Sequence, residues 1–381
     1  MTPQFTFATA TEILFGRGQA AQAAPRALAF GSRVLLVHGA TASRADGLAR
    51  DLIAAGATLT RLSIPGEPDL PMIEAAVSTA RRAAVQVVVS LGGGAVIDAG
   101  KAIAALIPAH RPILDHLEVV GKALPLDLPP LPFLALPTTA GTGAEVTRNA
   151  VIGVPANRRK VSLRDARMLP RLAIVDPAQT DHCPRAVTLA SGLDALTQVI
   201  EPYTSPKATL ITDALCRDAI PRALPALMTL MATEDPHARD TLAYVSLCGG
   251  LALANAGLGA VHGLAGPLGG LSGAAHGAIC GALLPHVLRV NRAHVTNPTR
   301  LDQVGHWIGA AFGQPQASID QAAALLSNWS RAAGLPGLNA LGITAQHQDS
   351  AATAAASSSS MAANPVPLSR DQLLSVMAAA H

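Results

Sequence analysis

Four polar residues stand out because their surroundings are apolar. Asp194 and Gln198 lie one helical turn apart among Leu193, Leu196, Val199 and Ile200, so both would share one face of a helix. His262 and His276 fall inside residues 241–288, a run of 48 without a single Asp, Glu, Lys or Arg. Taken singly, either histidine reads as a satisfied core residue, and His286, beside Pro285, is read that way. The set reads differently. A buried carboxylate must be paired or coordinated, and a carboxylate with two imidazoles in a low-dielectric pocket suits a divalent metal or a proton relay.

Two glycine-bearing loops offer a second kind of chemistry. Gly92-Gly93-Gly94 follows the aliphatic run 85–91 (VQVVVSL) and leads into a helical segment carrying Asp98 and Lys101. Strand, glycine turn and helix together bring backbone N–H groups and a helix N-terminus against a phosphate. The spacing is neither Gly-x-Gly-x-x-Gly, since Ile97 holds the third position, nor a Walker loop. The second loop, 137–147 (PTTAGTGAEVT), offers the hydroxyls of Thr138, Thr139 and Thr142. Each loop alone could simply end a strand; the pair points to a nucleotide across the ends of a parallel sheet. Gly16-x-Gly18 reads as a turn, with no good strand before it.

These groups need elements to hold them. Residues 34–37, 85–91, 131–136 and 172–175 read as buried strands, and 42–55 and 71–84 as helices between them. From Ala186 onward the texture becomes Ala/Leu-rich and helical, notably at 187–203, 208–233 and 240–256. The expectation is an α/β nucleotide-binding domain over 1–180, with a parallel sheet, and an all-helical domain over 181–381 that carries the metal or substrate groups. Residues 350–364 (SAATAAASSSSMAAN) read as a solvated loop or marginal helix, and a short amphipathic helix introduced by Ser369 ends the chain.

Composition mainly excludes. With 28 Lys+Arg against 25 Asp+Glu, and only a short basic knot at Arg158, Arg159 and Lys160, there is no nucleic-acid footprint. The four cysteines are far apart and suggest neither disulfides nor a thiolate zinc site. The charge-free run is broken by glycines and histidines, which argues for buried core over a membrane span. Residues 1–15 lack the basic and apolar regions of a secretory leader, so a cytoplasmic protein is expected.

LGGGAVIDAGKAIA (91–104), LPTTAGTGAEVT (136–147), SGLDALTQVIEPY (191–203) and GLGAVHGLAGPLGGLSGAAHGAICGALLPHV (257–287) resemble successive signatures of the iron-containing, or group III, alcohol dehydrogenases. The likeness runs from FGRG (15–18) to NPVPLSRDQLL (364–374). It implies a nucleotide-binding domain, a helical domain and an active site in a cleft between them, in a homodimer. It places Gly93, Gly94, Asp98, Thr138, Thr139, Asn149 and Lys160 around NAD or NADP. Asp194, His262 and His276 match three of the family's four ligands to Fe²⁺ or Zn²⁺. Gln198 stands where the fourth, a histidine, belongs, and Gly266 replaces an active-site histidine near the nicotinamide. Because an amide oxygen is a poorer ligand than imidazole, weak or absent metal binding is expected. The family's NAD-preferring members place an Asp at the end of the second strand; Val37-His38-Gly39 stands there instead, which admits NADP.

The expected activity is hydride transfer between a nicotinamide and a small alcohol or carbonyl compound, with His262 and His276 as catalytic groups. A metal-independent reductase like the maleylacetate reductases remains an alternative. So do a lyase like the dehydroquinate synthases, near which stand the glycerol-phosphate dehydrogenases, and a non-catalytic nucleotide-binding protein.

Overall fold

A computed structural model describes residues 4–356 and 358–381. Two compact units emerge. One comprises Thr9–Thr139 and Ala144–Thr180; the other comprises Asp181–His381, Ala140–Gly143 and the residues before Thr9.

The first unit runs β1 (Ile13–Phe15), α1 (Ala23–Leu28), β2 (Arg33–His38), α2 (Asp46–Ala54), β3 (Thr58–Ser63), α3 (Leu70–Arg82), β4 (Val87–Gly92), α4 (Gly94–Leu106), α5 (Ile113–His116), β5 (Phe133–Pro137), β6 (Asn149–Val154), β7 (Arg159–Arg164) and β8 (Leu172–Val175). Six strands form a parallel sheet in the order β1-β8-β5-β4-β2-β3, and β6 and β7 form a separate antiparallel hairpin. The central strands β4, β5 and β8 are buried along their whole length, as their aliphatic runs require of strands covered on both faces. The chain leaves β2 for β3 on one side and then returns to place β4 on the other. The ends of β2 and β4 therefore flank a topological switch point, where such sheets bind ligands.

Four strands escape the sequence reading. β1 does precede the Gly16/Gly18 turn, pairing with β8. At the sheet edge, β3 is nowhere fully buried, so it has no continuous apolar run. The hairpin strands alternate apolar and polar residues, and the basic knot runs from their turn, where Arg158 is left-handed at φ 51°, into the start of β7.

The second unit consists of α6 (Arg185–Thr204), α7 (Leu210–Ala232), α8 (Pro236–Ala256), α9 (Ala260–Ser272), α10 (His276–His294), α11 (Thr299–Ala311), α12 (Ile319–Ala332), α13 (Ala345–Ala355) and α14 (Arg370–Ala379). The charge-free run supplies most of α8, all of α9 and the first part of α10, and its Leu, Val, Ile and Ala side chains form the centre of this unit's core. No single described helix is long and apolar enough to cross a membrane; α8 and α9 pass that test only as a pair bent by 100°. The low-complexity segment is not all loop: α13 buries Ala351, Ala352 and Ala355, and Asn364 is buried in a hydrogen-bonded pair with Asn291. Ser357 of that segment lies outside the described residues.

Candidate functional site

In the helical unit the site is assembled from three helices. Asp194, Gln198 and Glu201 share one face of α6; His262 lies in the first turn of α9; His276 opens α10 and Cys280 follows one turn later. Glycines make the close approach possible. A Cβ on Gly277 would collide with the Ala190 carbonyl, and one on Gly281 would stand 2.7 Å from Leu193 Cδ1, so α10 can lie directly against α6. A Cβ on Gly259 would come within 2.9 Å of Glu201 Oε1, so α9 begins on top of that carboxylate.

Glu201 uses both oxygens. Oε1 accepts from the Val261 N–H at 2.7 Å, satisfying an orphan amide at the positive end of α9. Oε2 bonds His262 Nδ1 at 2.6 Å. That bond fixes the ring and turns Nε2 toward Asp194 Oδ1, 3.2 Å away. The His276 ring centroid is 5.4 Å from that of His262, and His276 Nε2 is 3.7 Å from Cys280 Sγ. One donor atom from each of Asp194, His262, His276 and Cys280 falls within 4.8 Å of all the others.

Burial opposes charge on Asp194, His262 and His276, and the opposite charges around them overcome it. Asp194 is held below the usual carboxylate value by its bond to His262 and the charges of both imidazoles. His262 stands well above 6.5 because Cys280, Glu201 and Asp194 surround it. His276 is pushed up to about 9 by Cys280 and Asp194. Gln198 is buried, and its Oε1 has no hydrogen-bond partner. A compact set of carboxylate, imidazole and thiol donors beside an orphaned amide oxygen fits a divalent cation.

Glu201 and Cys280 were missed by reasoning from the sequence, although each had a signal. Glu201 is an acid two turns from Asp194 on an apolar helix, and Cys280 is one turn from His276. Cysteine spacing along the chain could not reveal a site to which one thiol contributes.

In the α/β unit, β4 and β5 are neighbours, Gly92 pairs with Pro137, and the Thr138 N–H donates to Gly92 O at 2.9 Å. The two loops are thus side by side at the strand ends. Gly93 caps α4 without a side-chain capping hydrogen bond, and Gly94 is the first helical residue. A Cβ on Gly93 would lie 3.3 Å from Thr139 Oγ1, so that hydroxyl borders the same spot. Gly39 follows β2 at the switch point, where a Cβ would meet only Val96, at 3.8 Å.

Other residues assigned to the cofactor have structural duties. Asp98 accepts from the Val151 N–H at 3.0 Å and lies 3.4 Å from Lys101 Nζ, its carboxyl raised by burial despite Lys101. Lys101 is buried and donates to the carbonyls of Thr147 and Asn149 and to Thr147 Oγ1. Asn149 thus tethers α4 to β6 through its backbone. Lys160, on β7, faces Glu67 at 3.4 Å. Residues 140–143, Thr142 among them, group with the helical unit, where Gly143, left-handed at φ 56°, lies against Gly250.

The sequence profile of the iron-containing alcohol dehydrogenases matches residues 10–177, and that of the Fe-containing alcohol dehydrogenase C-terminal domain matches 188–381. The probable alcohol dehydrogenase EutG of Escherichia coli K12 is 31% identical over 99% of this chain and 94% of its own. Lactaldehyde reductase of the same organism is 36% identical over 59% of this chain and 58% of its own. Among solved structures, a 1,3-propanediol oxidoreductase superposes with a TM-score of 0.89, at 27% identity and full coverage of both chains. The alcohol dehydrogenase of Oenococcus oeni superposes at 0.88, with 25% identity over 99% of this chain and all of its own. With both halves of the chain matched in order, this protein belongs to the iron-containing alcohol dehydrogenase family.

Proposed function

We propose that this chain reduces a small, uncharged aldehyde or ketone to its alcohol, reversibly, with NADH or NADPH. The observation that carries the reading is the convergence of Asp194, His262 and His276 inside the apolar core of the helical unit. When bound, a nicotinamide supplies the hydride and a divalent cation at this set supplies Lewis-acid polarisation of the substrate oxygen.

The chain's own residues do the rest. Glu201 holds His262 by Nδ1, so that Nε2 faces Asp194. The bare N-terminus of α4 at Gly93 and Gly94 receives a diphosphate, and Thr138 and Thr139 hydrogen-bond the cofactor. Gly39 presents no carboxylate to repel a 2′-phosphate, which leaves NADPH admissible. Gly266, whose Cβ position meets nothing within 4 Å, leaves room one turn beyond His262. The names of the lactaldehyde and 1,3-propanediol relatives favour short, hydroxylated carbonyl compounds. A phosphorylated or strongly acidic substrate would need basic residues that 241–288 does not contain.

One observation favours a second reading, reduction without metal. With its pKa near 9, His276 holds a proton at neutral pH that it can pass to a carbonyl oxygen. The test is steady-state oxidation of NADH and NADPH against short-chain aldehydes and ketones, on protein stripped by chelation and then reloaded with Zn²⁺ or Fe²⁺. Restoration by metal supports the first reading, and full activity of the stripped protein the second. A failure to turn over either cofactor with any carbonyl compound would refute both.

A further inference from the structure

Cys280 has no role in the chemistry above, yet its sulfur lies with the donor atoms of Asp194, His262 and His276. Tetrahedral Zn²⁺ takes nitrogen and oxygen at about 2.0–2.2 Å and sulfur at about 2.3 Å, which sets donor–donor separations of roughly 3.3–3.7 Å. Two edges of such a tetrahedron already exist: His262 Nε2 to Asp194 Oδ1 at 3.2 Å and His276 Nε2 to Cys280 Sγ at 3.7 Å. The position expected to provide a further ligand, Gln198, leaves a buried oxygen unpartnered.

We propose that Cys280 is a metal ligand, completing an Asp194–His262–His276–Cys280 set that selects a thiophilic ion such as Zn²⁺ over Fe²⁺. This rests on the reading that the site holds a cation. The physical reason is donor softness: one thiolate among imidazoles and a carboxylate moves preference toward zinc, whereas an all-nitrogen-and-oxygen set suits iron equally. The geometry allows this because α10 carries the two donors at positions i and i+4, on one face of the helix, with Cys280 Sγ 3.7 Å from His276 Nε2.

The experiment uses the full chain, stripped of metal and titrated with Co²⁺. Binding is read from the visible d–d bands, and thiolate ligation separately from a near-ultraviolet sulfur-to-cobalt charge-transfer band. The expected result is one Co²⁺ per chain with a charge-transfer band. The band should vanish in Cys280→Ser, with Co²⁺ binding weakened by more than about tenfold, and persist in Cys248→Ser. Stoichiometric d–d bands without charge transfer in the wild type would overturn the proposal while leaving the metal reading intact. Failure of the wild type to bind Co²⁺ at all would overturn both. Because the decisive measurement is made on the unsubstituted chain, a misfolded Cys280→Ser cannot obscure the result.

Discussion

Replacing Glu201 with Gln changes one atom and should disable His262. The carboxylate presently accepts two hydrogen bonds, from the Val261 N–H at 2.7 Å and from His262 Nδ1 at 2.6 Å. A glutamine has one oxygen and can serve only one of them. If it stays with Val261 at the start of α9, its NH₂ group faces Nδ1. Nδ1 can then only accept, so the ring keeps its proton on Nε2, which removes the lone pair that a cation would need. A hydrogen bond to a charged group contributes about 1.5–3 kcal/mol, which corresponds to roughly ten- to hundredfold in an equilibrium constant. The same range is typical for loss of a residue that orients a metal-bound histidine. Zn²⁺ affinity measured by chelator competition should therefore fall by about ten- to hundredfold. The kcat/KM for aldehyde reduction should fall with it, and Glu201→Asp, which keeps two acceptors, should retain more of both. Zn²⁺ affinity of Glu201→Gln within about twofold of wild type, well inside the expected loss, would refute the assignment of His262 as a ligand oriented by Glu201.

Three further outcomes are expected. Burial pushes Glu145 from 4.5 up to about 7, so the folded chain keeps a proton there that the unfolded chain has released. Stability should therefore fall as pH rises from about 4.5 to about 7, by up to about 3 kcal/mol; thermal unfolding of Glu145→Gln should lack that slope, and parallel pH profiles would count against it. Gly39→Asp, at a position with room for a side chain, should raise the KM for NADPH by about tenfold or more through like-charge repulsion, while leaving that for NADH little changed. Gly100→Ala would drive a methyl group into Ser90 Oγ and to 2.8 Å from Phe133. Its cost should be about 1–3 kcal/mol, visible as a lower thermal midpoint; an unchanged midpoint would show that α4 can shift off the sheet.

Much of the fold was legible in the residues because burial writes itself into composition. The continuous aliphatic runs at β2, β4, β5 and β8 read as covered parallel strands, since only a strand buried on both faces needs apolar residues at every position. The charge-free run read as buried wall, and α8, α9 and α10 are that wall. β3 and the hairpin were invisible because half-exposed strands alternate too weakly to stand out from loops. In the alanine-rich segment before Asn364 the helical alternative holds as far as Ala355, but low complexity concealed that Ala351, Ala352 and Ala355 are buried.

For the site the division is sharper. By itself the sequence determined the family, the two glycine loops and the presence of Asp194, His262 and His276 in an apolar setting, because each is carried by residue type and short-range spacing. Tertiary structure alone decided that Glu201 is the anchor of His262, that Cys280 joins the donor set, and that Asp98 and Lys101 fasten α4 to the hairpin. These are contacts across many residues of chain, and helix periodicity can say which face a side chain occupies but not which face of another helix it meets.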